Sequence, residues 1–498
     1  MRSELKKLSR QTVSYTGANL LYRGASFILV PLYAHQLAAS EYGTLELITT
    51  TVYLIQALFT SGITHAALRF YYEYDSTEEQ RAFISTAFIG SLILSFSLAT
   101  MIAVMAPYFS HMLFQSYAYT FPFQLMALLM ALEIPREMSL AFVRAKERIG
   151  LFTILSLVQL FTQVGVTVYT VVVLKMGLVG VLISQVAATA MIWLVLTVFT
   201  VYHAGVRFQP KRLGPLIKYS APMMLSTLGW TGFQYLDRYA LGVFASLTSV
   251  GMYAFALRMA SIIPTLVVVP FTNSYGPFRF SIMKQANAPQ VYARVTTYYI
   301  FAAAFAVLGI ASFSRELLKF LAQAEYWPAY SIIPIVVIPG AMGGLQYCLQ
   351  TGIYIEKKTK HLFYVAFFTG LVNVALVVLL IPRFGMLGAA FALLGSSIYG
   401  VTHTWAIGQK IFPVPYEYGR VGKIVSIAIV LGVAGFYLPI DNLVYALLAK
   451  GLLIALFPIL ALLWAGLASG EREVVKQFWG KASSGIRTSL GYSSTPRA

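Results

Sequence analysis

Long apolar stretches alternate along this chain with short polar connections, and that alternation predicts its elements. Each stretch reaches the length of about 18 residues that a largely apolar helix needs to cross a hydrocarbon layer roughly 30 Å thick. Fourteen such spans are predicted, near 11–36, 41–65, 81–107, 118–135, 151–174, 177–203, 216–243, 250–271, 293–312, 328–354, 361–381, 386–409, 421–438 and 442–468. A β-barrel would show short segments of alternating polarity instead. The predicted fold class is therefore an all-α polytopic membrane protein. The start, MRSELKKLSR, leads straight into a long span with no small-residue site after a short apolar core, so no cleavable signal is expected.

The polar connections sort by charge. Arg23, Arg238, Arg258 and Lys450 fall inside spans, and Lys175, Arg315, Lys319 and Arg383 fall in odd-numbered connections. Every other Lys and Arg lies in the N-terminal segment, in an even-numbered connection, at a span end that borders one (Arg81, Lys218, Arg294 and Lys423), or in the tail. Basic residues gather on the cytoplasmic side of membrane proteins, so both termini are expected there, in a cell inner membrane. This changes how the net charge of +18 is read. A separate basic domain for nucleic acid is absent, and the cations instead face anionic membrane lipids.

Composition agrees, with 58% hydrophobic and 11% charged residues, where soluble chains carry about a quarter charged. Cys348 is the only cysteine and lies in an apolar stretch, which excludes an internal disulfide and a thiol metal site. The six histidines lack paired ligand spacing, and no phosphate-cradling glycine loop is present. No metal, cofactor or catalytic residue is expected.

An internal repeat emerges from the glycines. Lys175–Gly180 (KMGLVG) and Arg383–Gly388 (RFGMLG) stand 208 positions apart, as do Gly43 and Gly251. Six spans thus recur as six, in parallel because an even number separates the copies, with two more appended. The expected organisation is an N-terminal six-helix lobe at 1–206, a second at 207–412, and two extra helices with a polar tail at 413–498. Repeats of this kind suit a two-lobed transporter with a central cavity.

Charges inside the spans point to the site. Arg23, Glu46, Asp237, Arg238 and Arg258 all lie on spans 1, 2, 7 and 8, between the midplane and the outer face. A charge at mid-bilayer costs on the order of 2.5–3.5 kcal/mol by insertion scales, so such residues usually face a protein interior or water. Gln234 and Arg238 are four apart and share a helix face, while Asp237 is turned by about 100° toward Arg258. Three arginines against two acids leave a positive interior. Guanidinium prefers carboxylate or phosphate oxygens, so an anionic, phosphate-bearing substrate fits better than a cation. Asp237 and Glu46 are the candidates for gating or for coupling to a proton or sodium ion. An Asp237–Arg238 or Glu46–Arg23 pair that only holds helices together is the plainer alternative.

Four segments carry a family resemblance: TGANLLYRGASFILVPLYAHQLAASEYGTLEL, LDRYALGVFASLTSVGMYAFALRMA, LAFVRAKERIGLFT and NVALVVLLIPRFGMLGAAFALLGS. Over about residues 10–440 the chain resembles the polysaccharide transporter branch of the multidrug/oligosaccharidyl-lipid/polysaccharide (MOP) exporters, the Wzx-type flippases. The resemblance implies two six-helix lobes plus two helices, and alternating access. It also implies an undecaprenyl-diphosphate-linked oligosaccharide moved from the cytoplasmic to the outer leaflet. Cavity charges would serve it, here Arg23, Asp237, Arg238 and Arg258, with Glu46 added from the residues alone. Polysaccharide polymerase or chain-length machinery is a further candidate partner. A lipid II-type flippase or a drug/cation antiporter of the same superfamily stays open, as does, more remotely, a membrane polysaccharide polymerase or ligase.

Overall fold

A computed structural model describes residues 29–465 apart from 75, 147, 439 and 441. Among these residues all regular structure is helical. In lipid this is the expected solution, because a helix satisfies its backbone hydrogen bonds within one segment. The chain runs through α1 (Leu29–Gln36), α2 (Ala39–Glu73), α3 (Thr77–Phe114), α4 (Thr120–Ala145), α5 (Ile149–Thr167) and α6 (Gly177–Ala204). It continues through α7 (Leu213–Phe244), α8 (Leu247–Ala260), α9 (Val269–Ser281), α10 (Ala288–Ser312) and the short α11 (Ser314–Leu321). Last come α12 (Ile333–Leu349), α13 (Thr351–Ile355), α14 (Lys360–Ile411), α15 (Tyr418–Tyr437) and α16 (Leu443–Ala465). Every predicted span from the second onward coincides with such a segment, and the first is described only over α1. By length and composition alone, eight described helices can cross a membrane, or nine if a pair bent by 59° at Ser331–Ile333 is one span.

The repeat is visible in the backbone. Helix α2 begins at Ala39 and ends at Glu73; its counterparts 208 positions on, Leu247 and Ser281, are the first residue of α8 and the last of α9. Gly177 and Gly385 both take a left-handed backbone, with φ of +54° and +53°, which glycine adopts without the Cβ penalty. At Gly385 this breaks the long α14 into two spans. Between α8 and α9 a π-helical turn starts at Pro264, where the missing N–H disturbs the helical ladder.

The largest corrections to the predicted spans fall at two ends. Helix α4 does not stop at 135 but passes through Pro135 to Ala145. Proline leaves the Ala131 carbonyl without its helical donor, and the Ser95 hydroxyl of α3 donates to it at 3.0 Å. The eighth span likewise continues past 271, through α9 to Ser281.

The described residues form two compact units. One comprises the segments up to Phe280 and Ser314–Phe412, the other Ser281–Phe313 and the chain from Pro413. In the second unit α10, α15 and α16 close around Leu308, Ile424, Ile427, Leu431, Phe457 and Ala461. The candidate site lies in the first.

Candidate functional site

Call the end of α2 that bears Ala39 its upper end. There α2 meets α8 across an axis that relates the two halves of the repeat. A Cβ at Gly43 would lie 1.9 Å from the Leu247 carbonyl oxygen, and one at Gly251 would lie 1.9 Å from the Ala39 carbonyl oxygen. Positions 39 and 43 map onto 247 and 251 under the repeat offset, so the two contacts are copies of one another. Only glycine at both sites lets the backbones come this close.

A clasp from the second half covers this contact. Ala38, at the N-cap of α2, has no side chain that can cap the helix. Glu325 supplies the acceptor instead, taking the Ala39 N–H at 3.0 Å. Tyr326 donates to the Leu37 carbonyl at 3.2 Å, and the Gln323 side chain donates to the His35 carbonyl. The related helix α8 needs no such help, since Ser246 accepts from the Ser249 N–H.

Below the glycines lie the intramembrane charges. Glu46 of α2 and Asp237 of α7 each sit seven residues from a helix end, roughly 10 Å down at 1.5 Å per residue. Asp237 is 4% exposed. Its Oδ1 accepts from Arg238 Nη1 at 2.8 Å and its Oδ2 from the Tyr253 hydroxyl of α8 at 2.6 Å. Arg238 Nε stands 3.4 Å from Glu46 Oε1, and the guanidinium lies 4.7 Å over the Tyr235 ring. The Tyr239 hydroxyl meets Thr51 at 2.9 Å, tying α7 to α2 again. Arg258 interacts with Tyr42 and Glu46 and remains the exposed guanidinium of the set.

Structure thus brings Glu46, Asp237, Arg238 and Arg258 together on three helices. The expectation that Asp237 turns toward Arg258 is corrected: it pairs with its own neighbour Arg238, because the flexible Arg238 side chain folds back and Tyr253 holds the other oxygen. Arg23 and the side chain of Gln234 lie outside the described residues. Within those residues two guanidinia face two carboxylates, so the set balances.

Contacts also close the lower end of the same helix pair. Arg69 of α2 lies 4.8 Å over the Tyr219 ring of α7, and Phe70 packs edge-on against it at 6.0 Å. The connection before α7 is stitched to α3, with the Ser85 and Thr86 hydroxyls donating to the Gly205 and Arg207 carbonyls.

Two buried cationic groups escaped the reading of the sequence. Arg136 of α4 is 9% exposed and bonds Glu137 at 2.9 Å and Gln159 at 2.9 Å, with Glu133 at 3.6 Å. Arg279 of α9 is 3% exposed, and its guanidinium lies 4.1 Å over Tyr354 and 4.6 Å over Tyr347. Both fall in connections by the predicted span bounds, whereas the helices that carry them run on to Ala145 and Ser281. The signal that could have found Arg136 is the apolar run LAFV that follows it. Among the described residues no cluster of three or more His, Cys, Asp or Glu could hold a metal.

Comparison with known proteins bears on the fold. In solved structures the chain is similar to lipid II flippase MurJ in an inward closed conformation, at 14% identity and TM-score 0.74, covering 90% of this chain and 97% of that one. It is similar to an inward-facing multidrug resistance MATE transporter of the MOP superfamily at 11% identity and TM-score 0.60, covering 78% and 94%. The Vibrio cholerae MATE transporter VcmN follows at 14%, TM-score 0.56, covering 81% and 97%. At these identities the likeness speaks to the fold. No curated protein matches the sequence significantly. The model of the family described as "Polysaccharide biosynthesis protein" matches residues 8–283, more than half of the chain, and with that the multi-pass membrane protein built around this charged site belongs to that family, on the fold of the MOP exporters.

Proposed function

We propose that the protein is a flippase that carries an undecaprenyl-diphosphate-linked oligosaccharide from the cytoplasmic to the periplasmic leaflet of the inner membrane by alternating access. The observation that carries this reading is the charge set Glu46–Asp237–Arg238–Arg258, placed where the two halves of the repeat meet beneath the Gly43–Gly251 contact. Family membership in polysaccharide biosynthesis and the fold shared with a lipid II flippase support the same class of substrate. Both termini are cytoplasmic in this reading, and the upper end faces the periplasm.

The mechanism follows from exchange of partners. A diphosphate offers guanidinium the same bidentate oxygens as a carboxylate. Arg258 and Arg23 take it first, with Gln234 on the same side of α7 as Arg238. Arg238 then trades Glu46 and Asp237 for phosphate, which releases its tie from α7 to Glu46 of α2. The halves at 1–206 and 207–412 rock apart at the upper end, and Glu46 and Asp237 re-form the pairs once the substrate leaves. An inside-negative potential favours the step by about 2.3 kcal/mol per charge per 100 mV. Membrane lipids surround the polyprenyl tail, and a polysaccharide polymerase is the fitting consumer of the product.

Transport of a labelled lipid-linked oligosaccharide in proteoliposomes tests the reading. Arg258→Ala is expected to lower the rate at least about tenfold, the equivalent of roughly 1.4 kcal/mol, with insertion and melting unchanged. Arg258→Lys should restore part of it, since a point charge lacks the planar fork. Full activity in Arg258→Ala overturns this role for the site.

Orientation has its own check. In a Cys348→Ser background, Tyr117→Cys, in an exposed connection between α3 and α4, should react with an impermeant maleimide from the periplasm. Lys358→Cys should react only after the membrane is permeabilised. The reverse pattern would invert every statement about direction.

A further inference from the structure

The flippase reading leaves one buried network without a task. Midway along α4, Glu133 accepts from the Gln56 side chain of α2 at 2.6 Å, Arg136 donates to Gln159 of α5 at 2.9 Å, and Arg136 stands 2.9 Å from Glu137 and 3.6 Å from Glu133. Three formal charges thus occupy little more than one turn of a helix in the first half of the repeat.

The fold does not need them there. The repeat supplies an internal control, because the same helices recur 208 positions on. The counterparts of Gln56, Glu133, Arg136, Glu137 and Gln159 are Pro264, Ala341, Gly344, Leu345 and Phe367. All five are uncharged and none is a carboxamide, yet α12 holds the place in the second half that α4 holds in the first. A network absent from one copy of an architecture is not what holds the architecture together.

Charge count separates this network from the gate. At the upper end two carboxylates face two guanidinia within the described residues. At α4, again among the described residues, two carboxylates share one guanidinium, which leaves one negative charge in excess. Glu133 and Glu137 keep 23% and 30% of their side chains exposed, against 11% for Arg136. They are therefore reachable while lying halfway along a membrane helix. Binding one cation relieves the excess charge.

We propose that Glu133 and Glu137 are the proton-carrying pair of the transport cycle, sharing one proton that is taken up and released as the halves of the molecule move. A proton fits better than a metal ion, since the Arg136 guanidinium already fills the space between the two carboxylates. On the described helices packed against α4 the other titratable groups are few. Helix α3 carries no titratable residue between Arg81 and Tyr108, nor does α6 before Tyr202. From α5 and its π-helical extension come Gln159 and, near the far end, Tyr169; from α2 come Gln56, Tyr53 a turn above it, and farther down His65, Arg69, Tyr71, Tyr72 and Glu73. Gln56 also links the pair to the gate, because α2 is one unbroken helix that carries Glu46 at its upper end. Protonation that loosens the Gln56–Glu133 bond acts on the same rigid rod as Glu46.

The proposal rests on the flippase reading, so its test has one readout that needs no transport. Infrared difference spectra of the purified protein, titrated across neutral pH, should show a carboxylic acid band that disappears in Glu133→Gln/Glu137→Gln and survives in Glu46→Gln. In proteoliposomes, an imposed gradient of one pH unit, acid on the periplasmic side, should speed wild-type export up to about tenfold. The double variant should export at the ungraded rate whether or not the gradient is applied. Glu137→Asp, which keeps the carboxylate, should retain both the band and the response, and so separates lost titration from lost folding. A band that persists in the double variant, or an unchanged response to the gradient, overturns the assignment. If wild type exports nothing, the flippase reading fails while the infrared result still decides the proton site.

Discussion

Gly43→Ala is expected to force the upper end of the molecule open, and Gly251→Ala to do the same. The added methyl would sit 1.9 Å from a carbonyl oxygen of the facing helix in either case. Backbone atoms cannot rotate away as a side chain can, so α2 and α8 must separate. Overpacking of a tight contact costs about 1–3 kcal/mol where side chains can adjust, and here nothing adjusts but the helices. The closed form therefore loses population by at least about tenfold. Leu47, which is 2% exposed, reports the change: Leu47→Cys in a Cys348→Ser background should react with maleimide far faster when either alanine is present. Gly165→Ala is the matched control, since a Cβ there meets nothing within 4 Å. Equal labelling in all backgrounds would mean that the close approach does not hold the end shut. The two alanines should also be nearly interchangeable, because their contacts are copies under the repeat.

That symmetry was legible in the sequence because glycine has few substitutes. A repeat of apolar residues blurs quickly, as Leu, Ile and Val exchange freely against lipid. A repeat of Gly43 with Gly251 and of Gly177 with Gly385 persists, since two sites need backbone contact and two need a positive φ. The charges of the gate were legible for a similar reason: Glu46, Asp237, Arg238 and Arg258 interrupt long apolar runs. Their partners were not. Tyr253 reaches Asp237 only because the chain turns between Phe244 and Leu247 and returns α8 against α7. No periodicity along one helix contains that information. Pro135 misled in the opposite direction. Proline beside Glu133, Arg136 and Glu137 reads as a connection, and only Ser95 on a neighbouring helix, bonded to the freed Ala131 carbonyl, makes it a helix interior. The same density of charge that hid the α4 network from the sequence marks it in the structure.

The gate arginine should divide stability from transport. Arg238→Gln leaves Glu46 and Asp237 facing each other's side of the gate without the guanidinium between them. Breaking a buried pair by removing one partner costs about 3–5 kcal/mol. Asp237→Asn is gentler, because the amide oxygen still accepts from Arg238 or Tyr253 and Arg238 keeps Glu46. Loss of a charged hydrogen bond of this kind costs about 1.5–3 kcal/mol. Melting temperatures should therefore fall further for Arg238→Gln than for Asp237→Asn. The decisive variant is Glu46→Gln/Arg238→Gln. Removing the stranded carboxylate should return part of the lost stability, with a coupling of about 0.5–3 kcal/mol as found for residues in one network. Transport should not return with it, because neither glutamine can hold a diphosphate as a guanidinium does. Were the double variant to regain both melting temperature and export, Arg238 would be a clasp between α2 and α7 and the phosphate would have to find its partners in Arg258 and Arg23.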